Sequence, residues 1–268
     1  MILDRVESWV VAGVSGIMVL LAELLLMQQQ ILSGLLLYSL VLILLLIFGT
    51  LRWPRPQHQL LVLTIPAVSR LMAYTLPLGE LSPLFAHLVI GVPMALTAVV
   101  FVWLLEHEWP NLSFTWQRLP YYLLLTALGA ASGLLLYQFH QPAPLVENDP
   151  ILLFFYALVL VVAMAFVEEW LFRDIMQTAL TRLWGNGLLA GLVVACFYTA
   201  LSLGQGPLLF SLLIFILALA LSWLRLAGNN LLGVCLAHGA ANLVFFLILP
   251  HMGRADMLVR LTEFLVSG

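Results

Sequence analysis

The chain has 268 residues, 63% hydrophobic and 9% charged, with a formal net charge of −3 and a mean hydropathy of +1.10. A soluble domain could not hide that much apolar surface, so the composition is that of a polytopic helical membrane protein. The weak negative charge excludes the basic surface that nucleic-acid binding needs. The two cysteines, Cys196 and Cys235, fall in apolar stretches and read as small core residues rather than a disulfide or metal pair.

Nine apolar helical segments are expected, near 9–27, 31–50, 59–77, 82–105, 119–138, 151–175, 187–203, 207–226 and 230–250. The predicted fold is therefore all-α, a polytopic transmembrane bundle of eight to nine helices around a polar intramembrane cavity. The first segment is too long for a cleaved signal peptide and lacks an A-x-A-like site. Glu23 in the first segment and Arg70 in the third are expected to pair across the bundle. Arg5, Arg52, Arg55, Arg118, Arg182 and Arg225 precede the first helix or fall in every second connection. The alternate connections carry no Arg, and the one over 139–150 holds Glu147 and Asp149. The positive-inside rule then puts the N-terminus in the cytoplasm. Arg254 and Arg260 break the pattern, which leaves open an outside tail or one re-entrant segment.

Trp9, Trp53, Trp109, Trp116, Trp184 and Trp223 sit near segment ends, as interfacial anchors do. His107, His140 and His251 also lie at segment ends and are expected to be solvated. Asn111-Leu-Ser113 matches a glycosylation sequon, but this topology puts it in the cytoplasm. Past the ninth segment, Met257, Leu258, Leu261 and Leu265 share one side, so residues 251–268 are expected to lie along the interface.

The sixth segment, VLVVAMAFVEEWLFRDIMQTAL, carries Glu168, Glu169 and Arg173 at bilayer depth. Each charge there costs roughly 2.5–3.5 kcal/mol, so all three must turn inward and pair. Glu169 and Arg173 are i,i+4 neighbours and can pair on one helix face. Glu168 is rotated about 100° away, which separates a structural carboxylate from one free to act as a general base toward water. The bland alternative is a buried ion-pair network that only fixes helix packing. The ninth segment, LLGVCLAHGAANLVFF, sets His238 and Asn242 on one face, with Gly239, Ala240 and Ala241 small enough to admit a neighbouring helix. Two such side chains can donate to a developing oxyanion, or can simply join two helices. They are too few for a zinc site, and neither a metal nor a cofactor is expected.

The order E-E-x-x-x-R over Glu168–Arg173, then a helix ending in W-L-R-L-A-G-N-N-L-L-G-V, then H-x-x-x-N over His238–Asn242, resembles the CAAX protease and bacteriocin-processing family. Those are intramembrane glutamic proteases related to the Ras-converting CAAX endopeptidase. The resemblance covers roughly 119–250, as a protease core between N-terminal helices over 1–118 and the tail over 251–268. It implies that Glu168 activates the hydrolytic water, that Glu169 and Arg173 shape the motif, and that His238 and Asn242 stabilise the oxyanion. The family's middle motif, an aromatic residue followed four residues later by His, aligns Tyr198 with the aromatic and Ser202 with the histidine. Three arrangements stay open there. Ser202 can hold the water, His87 can take the role from the fourth segment, or the pocket is kept without activity.

The implied function is endoproteolysis of a membrane-anchored or membrane-delivered peptide in a bacterial cytoplasmic membrane. The alternative is a catalytically impaired member serving as a membrane scaffold or bacteriocin-immunity protein.

Overall fold

The computed structural model describes residues 2–52, 56–145, 149–228 and 230–252, with backbone alone for 2–5. The expected tail over 253–268 lies outside these residues, as do Trp53, Arg55 and Glu147. Nine helices follow one another among the described residues, with no strand. They are α1 (Ile2–Met27), α2 (Ile31–Leu51), α3 (Ile65–Thr75), α4 (Pro83–Leu104) and α5 (Leu119–Phe139). Then come α6 (Pro150–Trp184), α7 (Gly187–Ala200), α8 (Leu208–Gly228) and α9 (Leu231–Met252). The all-α polytopic bundle is thus as the sequence predicts.

The number of full crossings differs from the nine expected. Seven helices are long and apolar enough to cross a membrane, and α3 and α7 are the exceptions. The third segment begins as a 3-10 helix, Pro56–Thr64, and only then becomes α3. Helix α7 has 14 residues. At 1.5 Å per residue it rises about 21 Å, short of a hydrocarbon core of about 30 Å. Helix α6 errs the other way, with 35 residues in one continuous rod.

Contacts gather the arginine-bearing connections at one end of the bundle. Arg52 pairs with Glu7, and Trp184 stacks on Trp9 and donates to Ser8. Arg118 donates to the Gly228 carbonyl at 3.1 Å. This shared end is what the alternation of arginines along the sequence predicts.

Glu23 and Arg70 pair as expected, through Arg70 Nε to Glu23 Oε1 at 2.5 Å and Nη2 to Oε2 at 2.9 Å. Tyr38 donates to the same carboxylate. Two expectations fail. Cys196 is exposed on α7 rather than packed in the core, while Cys235 is buried. His107 is not solvated, since its side chain is buried and held by Asp174; His140 is half-buried against Phe210 and Phe245. A segment end in a bundle is not automatically a surface, because the 105–118 connection folds back over the helix ends. Leu231 N–H donates to the Asn111 carbonyl, and Asn230 Nδ2 to the Ser113 carbonyl.

Candidate active site

Three helices supply the polar residues of the second half, and each is started or stopped by a recognisable local device. Asp149 caps α6 by accepting from the N–H groups of Ile151 and Leu152, with Pro150 at the first helical position. Gly185 ends α6 in the left-handed region (φ 68°), and Asn186 then caps α7 by accepting from Leu189 N–H. This tight reversal sets α7 antiparallel to α6, so that Tyr198 faces Glu168. Asn230 caps α9 in the same way.

Around the glutamates α6 is not a plain α-helix. Wider π-helical turns at Leu160–Phe166 and Trp170–Met176 flank one α-helical turn, Val167–Glu169. A further π stretch, Leu243–Ile248, follows Asn242 directly. Such widened turns re-aim side chains and recur at functional sites.

The two adjacent glutamates meet different surroundings. Glu169 is fully buried and shares Oε1 between Arg173 Nη1 at 3.1 Å and His238 Nδ1 at 2.6 Å. The buried guanidinium of Arg173 also lies over the Tyr198 ring, 4.4 Å from its centroid. Glu168 keeps 32% of its side chain exposed. Its Oε2 accepts from the Tyr198 hydroxyl at 2.7 Å and lies 3.9 Å from His238 Nε2. The division into one sealed and one accessible carboxylate is the one that the helical spacing predicts.

His238 and Asn242 are aimed by a seam of small residues. A Cβ added at Gly129 would sit 1.9 Å from the Ala237 carbonyl oxygen, and one at Gly133 would sit 2.5 Å from that of Ala241. Helices α5 and α9 therefore touch backbone to backbone at two positions four residues apart. The residue after each alanine, His238 and Asn242, points into the bundle.

A cavity of about 730 Å³ opens there. Glu168, Arg173, Tyr198, Ser202, His238 and Asn242 all line it, and Glu169 lies behind them. Its other walls are mostly apolar side chains of α4, α5 and α8. Asn242 Nδ2 is buried without a hydrogen-bond partner among the described residues, so it remains an unused donor. Ser202 donates to the Thr199 carbonyl at 2.7 Å. The contact to Glu168 thus comes from Tyr198, not from Ser202. His87 lines the same cavity and donates Nδ1–H to the Pro83 carbonyl at 2.6 Å.

Residues 150–244 match the model of the Rce1-like family, the type II CAAX prenyl endopeptidases. This segment carries an Rce1-like domain. The resemblance read from the E-E-x-x-x-R and H-x-x-x-N motifs is thereby shown, and both motifs fall inside the matched residues. The Rce1-like domain holds α6, α7, α8 and the part of α9 that reaches just past Asn242, while α1–α5 lie outside it. No curated protein and no solved structure matches the chain. With seven helices fit to cross a membrane, the chain is a multi-pass membrane protein with a segment similar to the Rce1-like family.

A second polar cluster escaped the sequence reading. Asp174, next to Arg173, accepts from Arg225 Nη2 at 2.6 Å and lies 3.2 Å from His107 Nε2. These residues line a polar cavity of about 340 Å³ at the arginine-bearing end, with Arg173 in its wall as well. Asp174 sits in the same charged run as the motif, and that was the only signal; its partners are 51 and 67 residues away.

Proposed function

We propose that the chain is an intramembrane glutamic endopeptidase acting on a membrane-anchored or membrane-delivered peptide, with Glu168 as the base. The observation that carries this reading is the accessible Glu168 carboxylate facing a large apolar cavity beside an unused Asn242 donor. In this mechanism Tyr198 holds Oε2 of Glu168 and leaves Oε1 to take a proton from water. The resulting hydroxide attacks the scissile carbonyl carbon. The oxyanion then accepts from Asn242 Nδ2, and from His238 Nε2 when that ring carries both protons. Glu169 holds Nδ1–H of His238, so ring orientation is set before substrate arrives. Glu168 finally passes its proton to the leaving amine, and the peptide bond breaks. No metal or cofactor takes part in these steps.

Ser202 keeps oxygen lone pairs after donating to Thr199 and can accept from a cavity water. The apolar walls suit a membrane-embedded segment. The arginine-bearing end fits the cytoplasmic side of a bacterial inner membrane, with the N-terminus inside. One observation favours a second reading, a scaffold or immunity protein without turnover. The α7 stretch holds no histidine, and the Ser202 hydroxyl proton is already spent.

The deciding experiment reconstitutes the full chain in liposomes with a library of membrane-anchored reporter peptides and follows new termini by mass spectrometry. Cleavage by the native chain that disappears in Glu168→Gln supports the endopeptidase. Cleavage that persists in Glu168→Gln defeats the glutamic mechanism.

A further inference from the structure

The Rce1-like segment does not by itself explain what holds Tyr198 against Glu168. Helix α7 ends at Ala200, only two residues after Tyr198. The last carbonyls of a helix have no partner within it and need one from elsewhere. Here the Leu201 carbonyl has two partners, Gln205 Nε2 at 3.1 Å within the matched segment and a guanidinium from outside it. Arg70 Nη2 donates to the Leu201 carbonyl, which lies just past the end of α7. A guanidinium at that place also meets the negative end of the helix dipole.

Arg70 is itself fixed from behind. Its Nε and Nη2 bind both oxygens of Glu23, and Tyr38 donates to Glu23 in turn. Glu23 and Tyr38 are fully buried, so the guanidinium is held in one plane by α1 and α2. Arg70, Leu201 and Ser202 together line the cavity that also holds Glu168. A chain of contacts therefore runs from Tyr38 through Glu23 and Arg70 to Leu201. Three residues back along α7 stands Tyr198, bonded to Glu168 at 2.7 Å.

We infer that Arg70 is a positioning residue for the proposed hydrolysis. It clamps the end of α7 from the N-terminal helices, and so sets Tyr198 against the Glu168 carboxylate. The inference rests on the endopeptidase reading for its kinetic consequence only; the clamp itself can be measured without turnover. The job needs a planar cation with two donor edges, one for Glu23 and one for Leu201, which Lys cannot supply in the same geometry.

The test uses the full chain with Glu23→Gln and Arg70→Met together, which removes both charges and leaves no buried ion unpaired. Hydrogen exchange is followed at the amides of Leu201, Ser202 and Leu203. Peptide cleavage is measured in the native and Tyr198→Phe backgrounds. The expected result is an unchanged melting temperature and exchange about tenfold faster at those three amides. The same variant should lose about tenfold to a hundredfold in kcat with KM held, as a misplacement near 1 Å costs. In the Tyr198→Phe background the further loss should vanish, because the clamp acts through that hydroxyl. Unchanged exchange at the three amides, or an equal kcat loss in the Tyr198→Phe background, overturns the inference. If the double variant does not fold, Arg70→Lys gives the same readouts, with faster exchange expected and unchanged exchange counting against the clamp. If the native chain cleaves nothing, the endopeptidase reading fails, and the exchange result alone decides whether Arg70 holds α7.

Discussion

Glu168 and Glu169 are neighbours in sequence but lie on opposite sides of the cavity wall. Glu169 is sealed between Arg173 and His238, whereas Glu168 is bonded to Tyr198 and left partly open. One helical step of about 100° is enough to produce this division. A single pair of identical residues can then supply both a structural anchor and a reactive base.

The two carboxylates should accordingly fail in different ways. Glu169→Gln leaves the Arg173 guanidinium buried without a counter-charge, and Arg173→Ala leaves Glu169 with His238 alone; breaking such a buried pair costs roughly 3–5 kcal/mol. Lower yield and a lower melting temperature are expected, measured by size-exclusion of the detergent-solubilised chain. Glu168→Gln should keep native yield and melting temperature. A Glu168→Gln variant as unstable as Glu169→Gln would place both residues in one structural network.

Gly129 tests the seam between α5 and α9. The added methyl of Gly129→Ala meets a backbone carbonyl, which cannot swing aside. The helices must separate, and His238 and Asn242 move with α9. Cleavage should be lost together with a clear drop in melting temperature, while the equivalent change at Gly13, which meets open space, should be neutral. Equal behaviour of the two variants would contradict the close approach.

Tyr198 and Ser202 should differ in weight. Tyr198→Phe removes a hydrogen bond to a charged group, worth about 1.5–3 kcal/mol. A kcat loss of about tenfold to a hundredfold follows, since about 1.4 kcal/mol is tenfold. Ser202→Ala should be mild, because its proton goes to Thr199 rather than to the glutamate. Ser202→His should raise the rate if a second acid–base group can reach the water, up to the 10²–10⁴-fold such groups supply. A larger loss at Ser202→Ala than at Tyr198→Phe would reverse the assignment.

Asn242→Leu removes the unused donor and keeps the side chain's bulk. Losing one oxyanion donor typically costs about 10²–10³ in kcat. KM should hold, because the donor acts on the transition state. A rise in KM with kcat unchanged would make Asn242 a substrate-binding residue instead.

Much of this arrangement was legible in the sequence because it rests on local rules. Charges at bilayer depth forced Glu168, Glu169 and Arg173 inward, helical spacing paired Glu169 with Arg173, and the opposed signs of Glu23 and Arg70 predicted their contact. What escaped depends on long-range meetings. The 2.6 Å bond from His238 to Glu169 joins helices 69 residues apart. The sequence near His107 gives no hint of Asp174, and nothing in α7 points to Arg70. Of the small residues Gly239, Ala240 and Ala241, only Ala241 enters the seam, together with Ala237, and their partners are glycines in a helix that carries no motif.

The glycine seam bears on where the protein can be cut. Helix α9 owes the aim of its two polar side chains to α5, which precedes the Rce1-like segment. A fragment trimmed to 150–244 would therefore expose Ala237 and Ala241 to lipid and give His238 no fixed direction. Severing the chain between α5 and α6 is another matter, since the seam is non-covalent and needs no linker. Two co-expressed pieces divided there should find each other in the membrane, which would make the assembled pair of halves, rather than the 150–244 segment, the smallest self-sufficient unit.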